Sequence, residues 1–368
     1  MNGRGDIKFL PVGGILDRYL VRAFLRVFFI SLVCSSSLFL IVDCFDRLGT
    51  FLDAGASLST IARYFFYTTP LSISRVIGFA TLFSTLFSLG TLARTQEVTA
   101  MRASGLSIQR ISLPILMVSL LICLVTFSWN EGLVPIFAHR ASMIYKVEIK
   151  NRQQQSLFGT SDIWIRGEGS FINVDHFDVN SRALEGVTVL QINRDFSLRG
   201  LVQIPAVHWT GKQWESKEGV EWRFAPEGKL TSEKVIATPP VTETPDDLKL
   251  LAREPEEFSF FDLQKQIADM SSKGIDTRAY NVDLQTKLAM PFISPLMVLL
   301  AIPFAVRKQI AGVALSFGIA IVIGFGYWVL SAFCISLGHG GALSASIAAW
   351  VPTSIFSLIG IYFFTAEQ

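Results

Sequence analysis

The chain has 368 residues, of which 51% are hydrophobic and 17% charged, with a formal net charge of +2. Soluble domains carry about 25% charged residues, so this chain is short of the charge needed to cover a water-facing surface. A charge this close to zero, with no Lys/Arg run to focus a field on a phosphate backbone, excludes a nucleic-acid binder.

The apolar residues form two blocks, 24–129 and 284–364, around a charged middle. That is the pattern of an integral membrane protein with a soluble insert. Cys34, Cys44, Cys123 and Cys334 lie in or beside the apolar blocks and offer neither a disulfide framework nor zinc spacing. The histidines are scattered without ligand spacing, and no cofactor is expected.

In chain order, an arm carrying Arg4, Lys8, Arg18, Arg22 and Arg26 leads into the first span, Phe24–Val42. No small-residue cleavage site follows it, so it reads as an uncleaved anchor. Ile61–Ala93 is apolar apart from Arg63 and Arg75 and is longer than the hydrocarbon, so it must tilt or project. Ile111–Trp129, Leu284–Val306, Ile310–Leu337 and Ala342–Phe364 complete six spans. Lys/Arg bias orients them. Arg94, Arg102, Arg110, Arg307 and Lys308 sit on the side of the arm, whereas Cys44–Thr60 offers only Arg47 beside Asp46 and Asp53. Both termini are then cytoplasmic and the charged middle lies outside. Ala314/Gly318 and Ala320/Gly324 give the fifth span a face for close helix contact. Tight packing is the plain reading of that face, and a moving gate helix the sharper one.

From Asn151 to Val241 short apolar runs alternate with turn residues. Strands are predicted at 162–166, 170–175, 184–192, 198–204, 206–210, 213–215 and 220–224, the spacing of an all-β sandwich or jelly roll. Trp164, Trp209, Trp214 and Trp222 are its expected core. A Pro- and acid-rich linker, 238–257, precedes a helix capped by the Ser259/Asp262 pair, with Leu263, Ile267 and Met270 on its apolar face.

No phosphate-binding loop, nucleophile elbow or zinc-protease motif occurs, and the spans are nearly free of carboxylates. The chain is therefore not an enzyme, and the energy for anything it moves comes from a partner. The loop 94–110 places Glu97, Val98, Met101 and Leu106 along one side of a short helix able to press into a partner's groove. A helix lying on the membrane surface explains that loop as well.

The segment E-V-T-A-M-R-A-S-G-L-S at Glu97–Ser107 resembles the signature of the LptF/LptG permease family. So do L-D-R-Y-L at Leu16–Leu20, Lys287 and Pro291 in K-L-A-M-P, and A-A-W-V-P at Ala348–Pro352. The likeness covers nearly the whole chain, and its two ends lie nearer the LptG side of the family.

The resemblance implies an α-helical membrane protein of six transmembrane helices in two groups of three, with an inserted extracytoplasmic jellyroll-like β domain. Residues 1–130 would hold the arm, three spans and the coupling helix, 131–258 the β domain and linker, and 259–368 the connecting helix and three more spans. It implies an ABC-transporter permease of the bacterial inner membrane that extracts lipopolysaccharide, paired with a second, LptF-like permease so that spans one and five line a cavity. An LptB-like ATPase dimer would dock at Glu97, among Arg94, Met101, Arg102 and Leu106. An LptC-like single-span protein and an LptA-like bridge would continue the path.

For an anionic glycolipid, Arg75, Arg47 and Arg63 are the candidate phosphate contacts. Arg75 stands about 27 Å above Ala93 along the helix. Family members of the LptG kind carry several lysines after the first span. Here Asp43–Arg47 has Arg47 as its only base. Snorkelling anchors are the plain alternative for Arg47 and Arg63. Phe28, Phe39 and Phe79, with Phe83 and Phe87, either line an acyl-chain cavity or face lipid. A second reading is a non-transporting membrane scaffold or force-transmitting ABC subunit whose β domain binds an envelope partner.

Overall fold

The computed structural model describes residues 14–150, 163–167, 170–178, 183–193, 197–210, 214–216, 218–224, 230–235, 254–272, 276–306 and 313–366. Arg4, Lys8, Arg307, Lys308, turn residues 168–169, 194–195 and 211–212, most of the linker and Gly274 lie outside the described residues.

Helix α1 (Ile15–Asp53) and α2 (Leu58–Arg94) are followed by the short α3 (Glu97–Ala103) and by α4 (Ile108–Met143), which runs on into a π-helical turn, Ile144–Lys150. After the β insert come α5 (Phe260–Ser272), α6 (Arg278–Ala289), a 3-10 turn at Met290–Phe292, α7 (Ile293–Ala305), α8 (Val313–His339) and α9 (Ala345–Ala366). Among the described residues, six helical stretches are long and apolar enough to cross a membrane: α1, α2, α4 with its extension, α6–α7 as one, α8 and α9.

Cys44–Thr60, expected as an external loop, is mostly helix. At 39 residues α1 is about 58 Å long, well beyond a hydrocarbon core of about 30 Å. The extension holds because Phe51 is buried edge-to-face against Tyr64 and Phe65, with ring centroids 5.7 and 6.0 Å away. Only Ala54–Ser57 separates the two helices.

The chain divides into two compact units, one from residues 1–43, 69–134 and 278–368, the other from 44–68 and 135–277. In the first, α2 is the central helix. Of its eighteen most apolar consecutive residues 72% are buried, against 17% in α1 and in α8. Its buried hydroxyls bond back to their own helix: Thr81 donates to the Ile77 carbonyl at 2.7 Å and Thr85 to that of Thr81 at 2.8 Å. Helix α1 lays the stripe Leu20, Phe24, Phe28 and Ser31 into this core, and the Ser31 Oγ stands 3.0 Å from the Ser84 Oγ of α2.

On another side Phe79 and Phe83 meet Phe317 of α8 edge-on at 6.1 and 5.9 Å. Ala320 is buried there, and a Cβ on Gly324 would touch Phe79 at 3.4 Å. Around Gly318 there is open space. Of the two small-residue pairs in α8, one thus serves packing on α2 and the other holds a glycine that faces outward. The K-L-A-M-P motif marks a break in the fourth span, because buried Pro291 opens the 3-10 turn between α6 and α7.

In the second unit the strands are β1 (Ile163–Gly167), β2 (Ser170–Asp178), β3 (Ala183–Ile192), β4 (Leu198–Trp209), β5 (Trp214–Ser216), β6 (Val220–Phe224) and β7 (Leu230–Val235). All pair antiparallel in one sheet of order β1-β2-β3-β4-β6-β7, with β5 on the far end of β4. Three details depart from expectation. The predicted strands 198–204 and 206–210 are a single strand running through Pro205, and β7 was not predicted from the pattern. The described strands also form one sheet instead of two.

One creased sheet is enough because the inward side changes across a row of residues. Val187 and Val189 face the core on one side of the row and Leu184 on the other, as do Val202 and Ile204 against Val207. Gly186 at φ +64 and Pro205, which has no N–H, occupy that row. Trp214 is fully buried there with Trp209 packed edge-to-face at 5.1 Å, and Trp222 is half-buried.

Helix α5 is capped as predicted: the Asp262 N–H donates to the Ser259 Oγ at 3.1 Å and the Ser259 hydroxyl to the Asp262 carboxylate at 2.8 Å. Leu263 and Met270 are buried. Buried Glu257, just before it, meets His139 at 2.8 Å and Lys146 at 3.7 Å.

Candidate functional site

Helix α3 sits between two left-handed residues, Gln96 (φ 65) and Gly105 (φ 92), which turn the chain sharply out of α2 and into α4. Its apolar side is not available to a partner as expected: Val98 is buried, and Met101 and Leu106 pack partly buried against the protein's own core. The side left exposed carries Thr99, Ala100, Arg102 and Ala103, with Arg94 exposed at the end of α2.

Glu97 is engaged rather than presented alone. The Tyr19 hydroxyl donates to its Oε2 at 2.8 Å and the Thr95 hydroxyl to its Oε1 at 2.8 Å. On the far side of α3, Arg110 makes a bidentate pair with Asp17, Nη1–Oδ1 2.7 Å and Nη2–Oδ2 3.0 Å. The Asp17 side chain is 6% exposed and Arg110 20%. The Gly14 N–H adds a bond to Asp17 Oδ2 at 3.3 Å, and the Arg110 N–H is capped by the Ser107 Oγ at 3.2 Å. Asp17 and Tyr19 are functional candidates that the sequence pattern did not single out. Their one signal was membership of L-D-R-Y-L, and their partners lie 93 and 78 residues away.

The candidate phosphate contacts fall in separate surroundings. In the first unit exposed Arg75 lies over the Phe39 ring, guanidinium to centroid 5.8 Å. In the second, Arg47 lies over the rings of Tyr145 and Tyr64 at 4.8 and 5.7 Å. Arg63 there pairs with Glu148 at 2.6 Å. The phenylalanines separate too. Phe28 is 4% exposed and stacks on Phe24 inside the core, so it lines no cavity in the single chain. Phe79 packs on α8, and only Phe39 stands beside a cation. Lys287 is half-buried in the last turn of α6, and Pro291 is buried.

Of the described spans, α1 and α8 are the least buried over their most apolar stretch. Phe29, Ile30 and Val33 on α1 and Val322, Phe325 and Trp328 on α8 are each 59–73% exposed. Two spans that contribute so little to their own bundle present surfaces for something outside it.

The description "Lipopolysaccharide export system permease LptF/LptG" fits residues 18–366. The lipopolysaccharide export system permease protein LptG of Escherichia coli K12 is 24% identical over 372 residues, covering 95% of this chain and 97% of that protein. LptG of Haemophilus influenzae Rd is 21% identical over 361 residues, covering 93% and 95%. The match spans every membrane helix and the β insert alike, and the chain belongs to the LptF/LptG family of lipopolysaccharide export permeases.

Proposed function

We propose that the chain is one of two permeases in an ABC transporter of the bacterial inner membrane. It would extract lipopolysaccharide and pass it to a periplasmic β-jellyroll path toward the outer membrane. The observation that carries this reading is the uneven burial of the spans: α1 and α8 are each only 17% buried over their most apolar stretch. Burying apolar surface is favourable in water but gains little in lipid, so faces left open by two spans are available to a second permease and to acyl chains.

In this reading both termini are cytoplasmic and the β domain periplasmic, as the Lys/Arg distribution indicates. The LptG name of the relatives supports a partner of the LptF kind. An LptB-like ATPase dimer supplies the hydrolysis that this chain has no motif for. An LptC-like single-span protein and an LptA-like bridge extend the sheet. Arg75, Arg47 and Arg63 meet the headgroup phosphates on entry.

Helix α3 is the docking element, through Glu97 and the exposed side around Arg102. Because Val98 anchors the inner side, the ATPase reads the polar face. The test is copurification of the ATPase and lipid release from proteoliposomes for Glu97→Lys and Arg102→Glu. Both variants are expected to lose bound ATPase and lipid release together. Wild-type values for both would remove α3 as the docking element.

A further inference from the structure

We propose that Asp17, Tyr19 and Arg110 form a latch that makes α3, the first turn of α4 and the first turn of α1 move as one piece, so that displacement of α3 drives the open face of α1. This rests on the reading of α3 as the ATPase docking element and says how its motion reaches the substrate cavity. Two ties of different chemistry start within one turn of α1. Asp17 holds Arg110 in the first turn of α4, just after α3, and Tyr19 holds Glu97 at the start of α3 itself.

The first tie is a part-buried, bidentate charged pair. Such a pair is costly to desolvate and is held firmly only when its geometry is good, as the 2.7 and 3.0 Å contacts are.

Beyond the latch, α1 is a stiff lever. From Ile15 to Asp53 it is one unbroken helix without proline, a common cause of a kink. Asp17 begins the buried stripe that continues through Leu20, Phe24, Phe28 and Ser31, while Phe29, Ile30 and Val33 lie on the open side. A shift of the stripe at Asp17 therefore carries the open side with it. Asp17, Tyr19 and Arg110 act in this proposal as positioning residues.

The experiment reconstitutes the chain with its partner permease and ATPase in proteoliposomes loaded with lipopolysaccharide. It records bound ATPase, ATP hydrolysed, and lipid released per ATP. For Asp17→Asn the bound ATPase stays at the wild-type level while lipid released per ATP falls about fivefold or more, the low end of site-to-site coupling. Tyr19→Phe, which keeps the ring and removes only the hydroxyl, shows a smaller fall in the same ratio. The exchanged pair Asp17→Arg with Arg110→Asp recovers most of it. An unchanged ratio in Asp17→Asn and Tyr19→Phe overturns the proposal, and so does loss of ATPase in step with release. Failure of the docking reading itself appears separately, as full ATPase binding by Arg102→Glu.

Discussion

At the scale of single residues, three arginines that look alike in the sequence are held by different physics. Arg63 and Glu148 form an ion pair at 2.6 Å, but their side chains are 54% and 38% exposed, and such pairs contribute about 0–1 kcal/mol. Arg47 lies over two neighbouring tyrosine rings, Tyr64 and Tyr145. Arg75 is exposed and lies over the Phe39 ring, and its planar fork suits the bidentate, charge-assisted bonds that a phosphate takes. Arg75 should therefore meet a headgroup beside Phe39. A photoreactive probe at Phe39 is expected to capture lipopolysaccharide strongly with Arg75, several-fold less with Arg75→Lys, which keeps charge without the fork, and least with Arg75→Glu. Equal capture by Arg75→Glu removes Arg75 from the substrate path.

At the scale of elements, close approach between helices decides the packing of the last two spans. A Cβ on Gly338 of α8 would stand 2.6 Å from the Ala348 Cβ of α9 and 3.0 Å from Val282 of α6. The Ala348 atom is fixed to its backbone and cannot swing aside. The Tyr327–Thr353 bond at 3.1 Å and the Trp350–Gln285 bond at 3.3 Å tie the same helices. Gly338→Ala should therefore destabilise the chain in detergent by about 1–3 kcal/mol, the usual cost of overpacking. Ala348→Gly in the same chain should return part of it, a non-additivity measurable in a double-mutant cycle of thermal unfolding. Additive effects would show that α8 and α9 do not meet through these atoms.

The same scale shows what the sequence could reveal. The six spans were legible because an unbroken apolar run of about twenty residues matches the thickness of a bilayer and suits little else. The Ser259/Asp262 cap was legible because its partners are three residues apart. The outward run of α1 was not, since Phe51 makes it a helix only by finding Tyr64 and Phe65. Nor was the continuity of β4, since Pro205 reads as a break unless the row it shares with Gly186 is known to be a crease. The Asp17–Arg110 and Tyr19–Glu97 ties were hidden for the same reason. Each residue is ordinary in its own stretch, and its meaning comes from a contact many turns of chain away.

At the scale of the molecule, the open faces of α1 and α8 separate a permease subunit from a scaffold. Exposed apolar residues are normal on any membrane helix. α4 and α9 also carry them, for example Leu124 at 66% and Leu358 at 68% exposed. What distinguishes α1 and α8 is that so little of each is used inside the bundle. If they face a partner and a lipid-sized cavity, photoreactive probes at Val33 and Val322 will capture the second permease and, in loaded proteoliposomes, lipopolysaccharide. Probes at Leu124 and Leu358 will capture only bulk phospholipid. Addition of ATP should lower lipopolysaccharide capture at Val33 and Val322 as the cavity empties, and leave the other two unchanged. A scaffold predicts one pattern at all four positions, insensitive to ATP, because each would then face the same bilayer. Uniform capture would overturn the permease reading, whatever the likeness of the chain to its family, since a transport path has to be lined by surfaces that differ from the rest of the membrane face.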